Sequence, residues 1–353
     1  MNALIRRTLP VLAALATGSV MAAPVHAQVN LSAEASSPGN SPHLSIIHMA
    51  EIASEAGVAN LQVQEGQTLT NSVKNVAEGK TDIAPMPIIL GFLMSKGRGP
   101  YSKLGDAGAA LAANLRALYP YNAGAYGLFA HEAENIRSWD DLKGRKVFNG
   151  PPRGAALVNA RQAIQLAAGL KDGTDYDGFQ ANWGQLATIL VDGSVDAFVI
   201  PLTFPSQRVT VSLAAGKVNI ISTPKAVFDS DAFQRILKAP GNVPIVVPEA
   251  EMGYGADQGV TLISEDGVFR GMGTAFADVV HKDMDTDLVR ALTAAYIASI
   301  DRLLARAPYV KNIGLAELDP EKSGFCGANP VKYHPGAVMA WEDAGYTVPD
   351  CAQ

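Results

Sequence analysis

The sequence predicts an α/β protein of two lobes, and three observations carry that expectation. The first is size and composition. The chain has 353 residues, 48% hydrophobic and 18% charged, with 33 Gly and 21 Pro. The apolar share is that of soluble domains, the charge is too low for a charge-rich disordered chain, and the length allows one or two domains with real cores. The second is a weak internal repetition of strand and helix segments. The third is the recurrence of Gly/Pro loops where a strand hands over to a helix.

Residues 1–27 have the layout of a secretory signal peptide. Arg6 and Arg7 form a basic start, residues 9–23 are almost wholly apolar, and Val25-His26-Ala27 supplies a small-x-small cleavage site. A membrane anchor is the alternative, but the run is short, carries Pro10 and ends in the cleavage-like site. The expected mature chain, 28–353, has 326 residues. Losing Arg6 and Arg7 takes the net charge from −6 to −8, with no stretch of five like charges. Binding to phosphate backbones needs a positive face, so nucleic acid is excluded as a partner. The expected location is the periplasm.

The first copy of the repeat opens with Ser36-Ser37-Pro38-Gly39-Asn40-Ser41-Pro42. A helix is predicted over 43–56, a second over 70–77 ending at Gly79, then Asp82, the strand Ile83-Ala84 and Pro85-Met86-Pro87. The second copy follows the strand Lys146-Val147-Phe148 with Asn149-Gly150-Pro151-Pro152-Arg153-Gly154. Helices are predicted over 155–168 and 184–191, the latter ending at Gly193, then Asp196, a strand over 197–200 and Pro201. Gly39 to Gly79 is 40 residues and Gly154 to Gly193 is 39. A Gly past a helix fits a left-handed stop, a buried parallel strand reads as a short apolar run, and a Pro is expected to end the ladder. In open α/β sheets the strand-to-helix loops are where ligands bind.

The two cysteines, Cys326 and Cys351, both lie near the C-terminus. In an oxidising compartment such a pair predicts a disulfide, which would close a loop of about 25 residues and contribute roughly 3 kcal/mol. Their spacing matches no zinc or Cys-x-x-Cys pattern. No cofactor or metal is expected. The sequence holds no G-x-S-x-G, H-E-x-x-H, P-loop or G-x-G-x-x-G motif, and Gly271-Met272-Gly273-Thr274 lacks the third Gly of a dinucleotide loop.

With a signal peptide, two lobes and these loops together, the chain resembles the TAXI family, the extracytoplasmic solute receptors of TRAP transporters, which have the type II periplasmic binding-protein fold. Asp140-Asp141-Leu142-Lys143-Gly144-Arg145-Lys146-Val147 with Gly150-Pro151-Pro152 is similar to that family's D-L-K-G-K-x-V…G-P-P element. Residues 191–198, 77–84 and 115–120 match further elements, and Tyr333-His334-Pro335-Gly336-Ala337 resembles its terminal L-H-P-G-A signature. The chain departs from the family pattern at Pro38-Gly39-Asn40-Ser41-Pro42-His43, at Gln67-Thr68-Leu69 and at Arg153-Gly154-Ala155-Ala156. All three fall in loops expected to line the cleft, so a relative's ligand such as glutamate is not carried over. The resemblance implies lobe I over 28–125 and 271–353, with the C-terminal tail, lobe II over 126–270, and a hinge of two crossing strands. It also implies a TRAP-type permease as partner and a monomeric receptor that closes on its solute.

Arg153 stands out as a ligand residue. It sits in a Gly/Pro loop at a helix N-terminus, with Gly154 and Ala155, where free N–H groups favour an anion and a guanidinium can pair with a carboxylate. A solvated surface Arg is the alternative. Asn40, Ser41, Thr68 and Asn71 are candidate polar donors, with helix capping as the alternative for each. His43 is a candidate contact or a plain loop residue. Tyr121, Tyr126, Thr203 and Phe204 lie near the expected hinge or strand ends, where stacking on a ligand competes with core packing. Trp183 is assigned to the core, Met252-Gly253-Tyr254-Gly255 to a flexible loop, and Asp82 and Asp196 to strand capping. The function these readings favour is capture of a small organic anion, a carboxylate, without chemistry. A secreted two-lobed enzyme acting on a carboxylic acid and a ligand-sensing partner of a membrane receptor are the alternatives.

Overall fold

Two copies of one strand pattern share two long strands. The computed structural model describes residues 28–254 and 256–353. The expected signal peptide, 1–27, and Gly255 lie outside the described residues. The first strands are β1 (Val29–Glu34), β2 (Ala59–Gln64), β3 (Ile83–Pro87), β4 (Leu115–His131), β5 (Lys146–Phe148) and β6 (Asp177–Phe179). They are followed by β7 (Ala197–Leu202), β8 (Val218–Ile221), β9 (Asn242–Pro248), β10 (Val260–Ile263), β11 (Val268–His281) and β12 (Lys332–Tyr333).

In one lobe β2, β1 and β3 run parallel, and β11 is inserted antiparallel between β3 and β4. In the other β6, β5 and β7 run parallel, and β4 is inserted antiparallel between β7 and β8. Each lobe also adds a short parallel strand at its edge, β12 on β4 and β10 on β8. The repetition read in the sequence is therefore a repetition of topology, and the fold is a two-lobed α/β fold whose lobes exchange one strand each. Two equivalent bonds mark it. The Asp82 carboxylate accepts the backbone N–H of Ser32, and the Asp196 carboxylate accepts that of Lys146, both at 2.7 Å and across the same separation of 50 residues. Each aspartate thus ties the start of its lobe's third strand to the first strand, at Ser32 within β1 and at Lys146 at the start of β5.

The strands extend past their prolines, contrary to expectation. Pro85 and Pro87 belong to β3, and Pro201 to β7. Beyond Ile83 β1 no longer pairs with β3, and beyond Phe198 β5 no longer pairs with β7. A residue without an N–H costs a ladder nothing where there is no neighbour to bond. The prolines instead end parallel pairing on one side, and this opens the cleft there.

β4 and β11 are the two crossing strands. They pair from His281↔Leu115 to Ala275↔Asn122 and again at Gly273↔Ala125 and Met272↔Tyr126, with a register shift between. The kink in β4 is at Asn122-Ala123-Gly124. Asn122 Oδ1 accepts the Gly124 N–H at 3.0 Å, and Gly124 has φ +82°. A Cβ there would sit 2.0 Å from the Leu202 carbonyl oxygen, so only glycine permits the approach of β7.

Helices cover both faces. The Ser41–Glu55 helix buries Ile46, Met49 and Ile52 on the first lobe, and the Ala155–Ala168 helix buries Leu157, Ala160 and Ile164 on the second. The chain ends return to the first lobe, where the Trp341 indole donates to the Leu118 carbonyl at 3.0 Å. Cys326 and Cys351 are joined in a disulfide with their Cα atoms 5.4 Å apart. No helix among the described residues is long and apolar enough to cross a membrane.

Candidate functional site

A cleft of about 840 Å³ lies between the lobes, a volume suited to a small organic molecule. Its walls are built from equivalent loops of the two copies. Gly39 and Asn40 face Gly154, Thr68 and Leu69 correspond to Asn182 and Trp183, and Pro87 corresponds to Pro201. The crossing strands supply the floor through Ala123, Tyr126, Thr274 and Phe276.

Helix starts converge on this space. Asn40 caps the Ser41–Glu55 helix, its Oδ1 accepting the His43 N–H at 3.0 Å and the Ser36 hydroxyl at 2.7 Å. The Ala155–Ala168 helix has Gly154 at its N-cap, with φ +100°, and so no side chain answers its first N–H groups. The Leu69–Ala77 helix likewise receives no side-chain cap bond from Thr68. Open N–H groups with the positive end of the helix dipole behind them suit an anion.

Arg208 is the charged residue of the inner wall, and sequence reasoning passed it by. It lies in the Gln207–Ser212 helix, partly buried, and donates from Nη1 to the Pro201 carbonyl. Its guanidinium carbon lies 4.8 Å from the centroid of the Trp183 ring. It belongs to none of the ion pairs among the described residues, and burial pulls its pKa down to about 10, with neighbouring Tyr126 acting in the opposite sense. Burial in turn pushes the Tyr126 hydroxyl up to about 12, against hydrogen bonding to Thr274 and Asn159. Asn159 Nδ2 also donates to the Thr274 hydroxyl at 3.3 Å. Arg208, Tyr126 and Thr274 thus form a polar end to a cleft whose other walls carry Leu69, Leu90, Pro87 and Phe276.

Seven of the residues singled out in the sequence line this cleft: Asn40, Thr68, Tyr126, Arg153, Gly154, Ala155 and Thr203. Arg153 is exposed at the rim and pairs with no carboxylate among the described residues. Five others are not among the lining residues. Ser41 is buried in the first turn of its helix. His43 Nε2 lies 2.7 Å from Glu65 at the surface. Asn71 is exposed on the Leu69–Ala77 helix. The Tyr121 hydroxyl donates to Asp278 at 2.8 Å inside the core. Phe204 packs edge-on against Phe269, 4.6 Å between centroids. In each case a partner within the protein, or the direction of the helix, takes the side chain away from the cleft. Trp183 moves the other way. It lines the cleft, with one edge against Phe148 and Arg208 over its face. The loop at Met252-Gly253-Tyr254 is anchored rather than free, since the Tyr254 hydroxyl accepts the Ser206 N–H and donates to the Ser206 carbonyl. Among the described residues no group of three His, Cys, Asp or Glu side chains is placed to hold a metal ion.

The structure is similar to several solved ones. A TRAP periplasmic solute-binding protein from Ralstonia eutropha, solved with bound (S)-2-acetolactate, is 14% identical over 92% of this chain and 87% of that one, with a TM-score of 0.45. The periplasmic ectoine-binding protein of the TeaABC TRAP transporter of Halomonas elongata is 12% identical over 90% of each chain, TM-score 0.41. An extracytoplasmic solute receptor of Bordetella pertussis that binds pyroglutamic acid is 12% identical over 90% of this chain and 93% of that one, TM-score 0.43. No curated protein matches the sequence. The NMT1-like family profile matches residues 43–345, a span that contains most of both repeats, both crossing strands and most of the cleft lining. The chain belongs to the NMT1-like family.

Proposed function

We propose that this protein is an extracytoplasmic solute receptor of TAXI type. It captures a small organic anion, a carboxylate, between its lobes and delivers it to a TRAP-type permease. The observation that carries the reading is Arg208, a partly buried guanidinium without a carboxylate partner among the described residues, lining a cleft of solute size bounded by equivalent loops of two lobes. A partly desolvated cation without a counter-charge is costly, and a ligand carboxylate accepting two parallel N–H bonds from it offsets that cost. Arg153 at the rim and the uncapped start of the Ala155–Ala168 helix add favourable potential for an anion. The motif resemblance at residues 140–152 and 333–337 supports the TAXI assignment.

In this reading lobe I comprises 28–125 and 271–353, lobe II comprises 126–270, and residues 1–27 direct export to the periplasm. The kink at Asn122-Ala123-Gly124 and the register shift in β11 are the hinge. Ligand favours closure because only the closed form touches it from both lobes. The receptor works as a monomer, without cofactor, and performs no chemistry on its solute.

Mass spectrometry after denaturing release identifies solute carried through purification, and thermal shift against a panel of organic acids measures saturable stabilisation. The expected result is an organic acid, a rise in melting temperature with its concentration, and a loss of at least tenfold in affinity in Arg208→Gln. No shift with any carboxylate, or turnover of the bound compound, sinks the reading.

A further inference from the structure

We infer that the cleft selects an organic carboxylate with an apolar body and no ammonium group, and so rejects α-amino acids. The inference rests on the receptor reading above and deepens it. Both charges facing the cleft are positive, Arg208 and Arg153, and among the described residues its lining holds no Asp, Glu, Lys or His. An ammonium taken out of water needs a carboxylate, a set of free acceptors or an open aromatic face. Among the described residues the lining supplies no carboxylate, and the acceptors near Arg208 are neutral oxygens such as those of Gln207 and Thr203. One face of Trp183 is already covered by the Arg208 guanidinium, and the Pro201 carbonyl is already bonded to it. On the opposite wall Asn40 Oδ1 accepts two protein donors. An ammonium next to a bound carboxylate would therefore face two guanidiniums and no counter-charge.

The rest of the solute is set by the other wall. Leu69, Leu90 and Phe276 present hydrocarbon opposite the Arg208 end. An alkyl or aryl group on the solute buries apolar surface against them.

Isothermal titration of the wild-type protein with matched pairs tests this directly: 3-phenylpropanoate against phenylalanine, and 4-methylpentanoate against leucine. The amine-free acid of each pair should bind at least tenfold tighter than its amino acid. Equal or tighter binding of the amino acids overturns this inference and leaves the receptor reading standing. Failure of all four to bind overturns this inference; if no other organic acid of the panel binds either, the receptor reading falls with it. These titrations use unaltered protein, so the result does not depend on whether an Arg208 variant folds. In Arg208→Lys, checked for folding by circular dichroism, the carboxylates should weaken at least fivefold through loss of the planar fork; unchanged affinity places the carboxylate elsewhere and overturns the inference.

Discussion

Replacing Asp278 by Asn should flatten one part of the pH dependence of stability. Asp278 lies on β11 with no exposed surface, and its carboxylate accepts hydroxyls from Ser45 at 2.6 Å, Tyr119 at 2.7 Å and Tyr121 at 2.8 Å. No cation accompanies it among the described residues. Burial is the dominant influence and raises its pKa from 3.8 to about 6, with the three hydroxyl donors pulling the other way. A carboxyl whose folded pKa is raised holds its proton more tightly in the folded than in the unfolded chain. Its stabilising contribution is therefore complete below about pH 3.8 and is lost as pH rises through about 6. About two pKa units correspond to about 3 kcal/mol, most of it present at pH 4 and none left by pH 8. Carboxylates such as Glu51, whose pKa is lowered chiefly by its bond to Arg306, act with the opposite sign, so the raw profile of the wild type does not isolate Asp278. The difference between wild type and Asp278→Asn does. Urea unfolding followed by circular dichroism at pH 4, 5, 6, 7 and 8 should show the wild type losing about 2–3 kcal/mol relative to the variant across that range. A difference constant within about 0.5 kcal/mol would mean that Asp278 keeps an ordinary pKa in its hydroxyl cage, and the burial argument would fail.

The remaining expectations concern the frame around the cleft. Gly124→Ala places a Cβ 2.0 Å from the Leu202 oxygen at positive φ, and should destabilise by at least about 2 kcal/mol in urea; a loss under about 0.5 kcal/mol would show that the crossing strand tolerates a side chain there. Replacing both Cys326 and Cys351 by Ser opens a loop of 25 residues and should cost roughly 3 kcal/mol of stability, read as a lower melting temperature; an unchanged melting temperature would show that the tail is held by packing alone.

Much of the fold was legible because it rests on local rules repeated twice. Gly79 has positive φ, 68°, just past the Leu69–Ala77 helix, whereas the helix expected to stop at Gly193 ends earlier, at Ile189, and Gly193, φ 69°, follows the intervening turn. The apolar runs at Ile83 and Ala197 begin buried strands, and Asp82 and Asp196 hold equivalent bonds. The prolines were the point where the local rule misled, because whether a missing N–H matters depends on a neighbouring strand that the sequence does not name. The candidate site was legible only as a set of loops. Asn40, Thr68, Arg153 and Gly154 reach the cleft because strand-to-helix loops do so in this topology. Tyr121 and Tyr126 lie on the same strand on either side of Asn122-Ala123-Gly124, yet one bonds Asp278 in the core and the other lines the cleft floor.

The sequence by itself determined that the chain is two related α/β units, where most of their helices stop, and which loops converge. These are consequences of φ preference, apolar patterning and repetition, and each is written within a few residues. Only the tertiary structure showed Arg208 at the cleft. Arg153 stood out locally through its Gly/Pro loop, whereas Arg208, in the Gln207–Ser212 helix, carries no such local mark. Neither has an ion-pair partner among the described residues, and what sets Arg208 apart is burial and its place over Trp183, which arise from residues brought together across the fold.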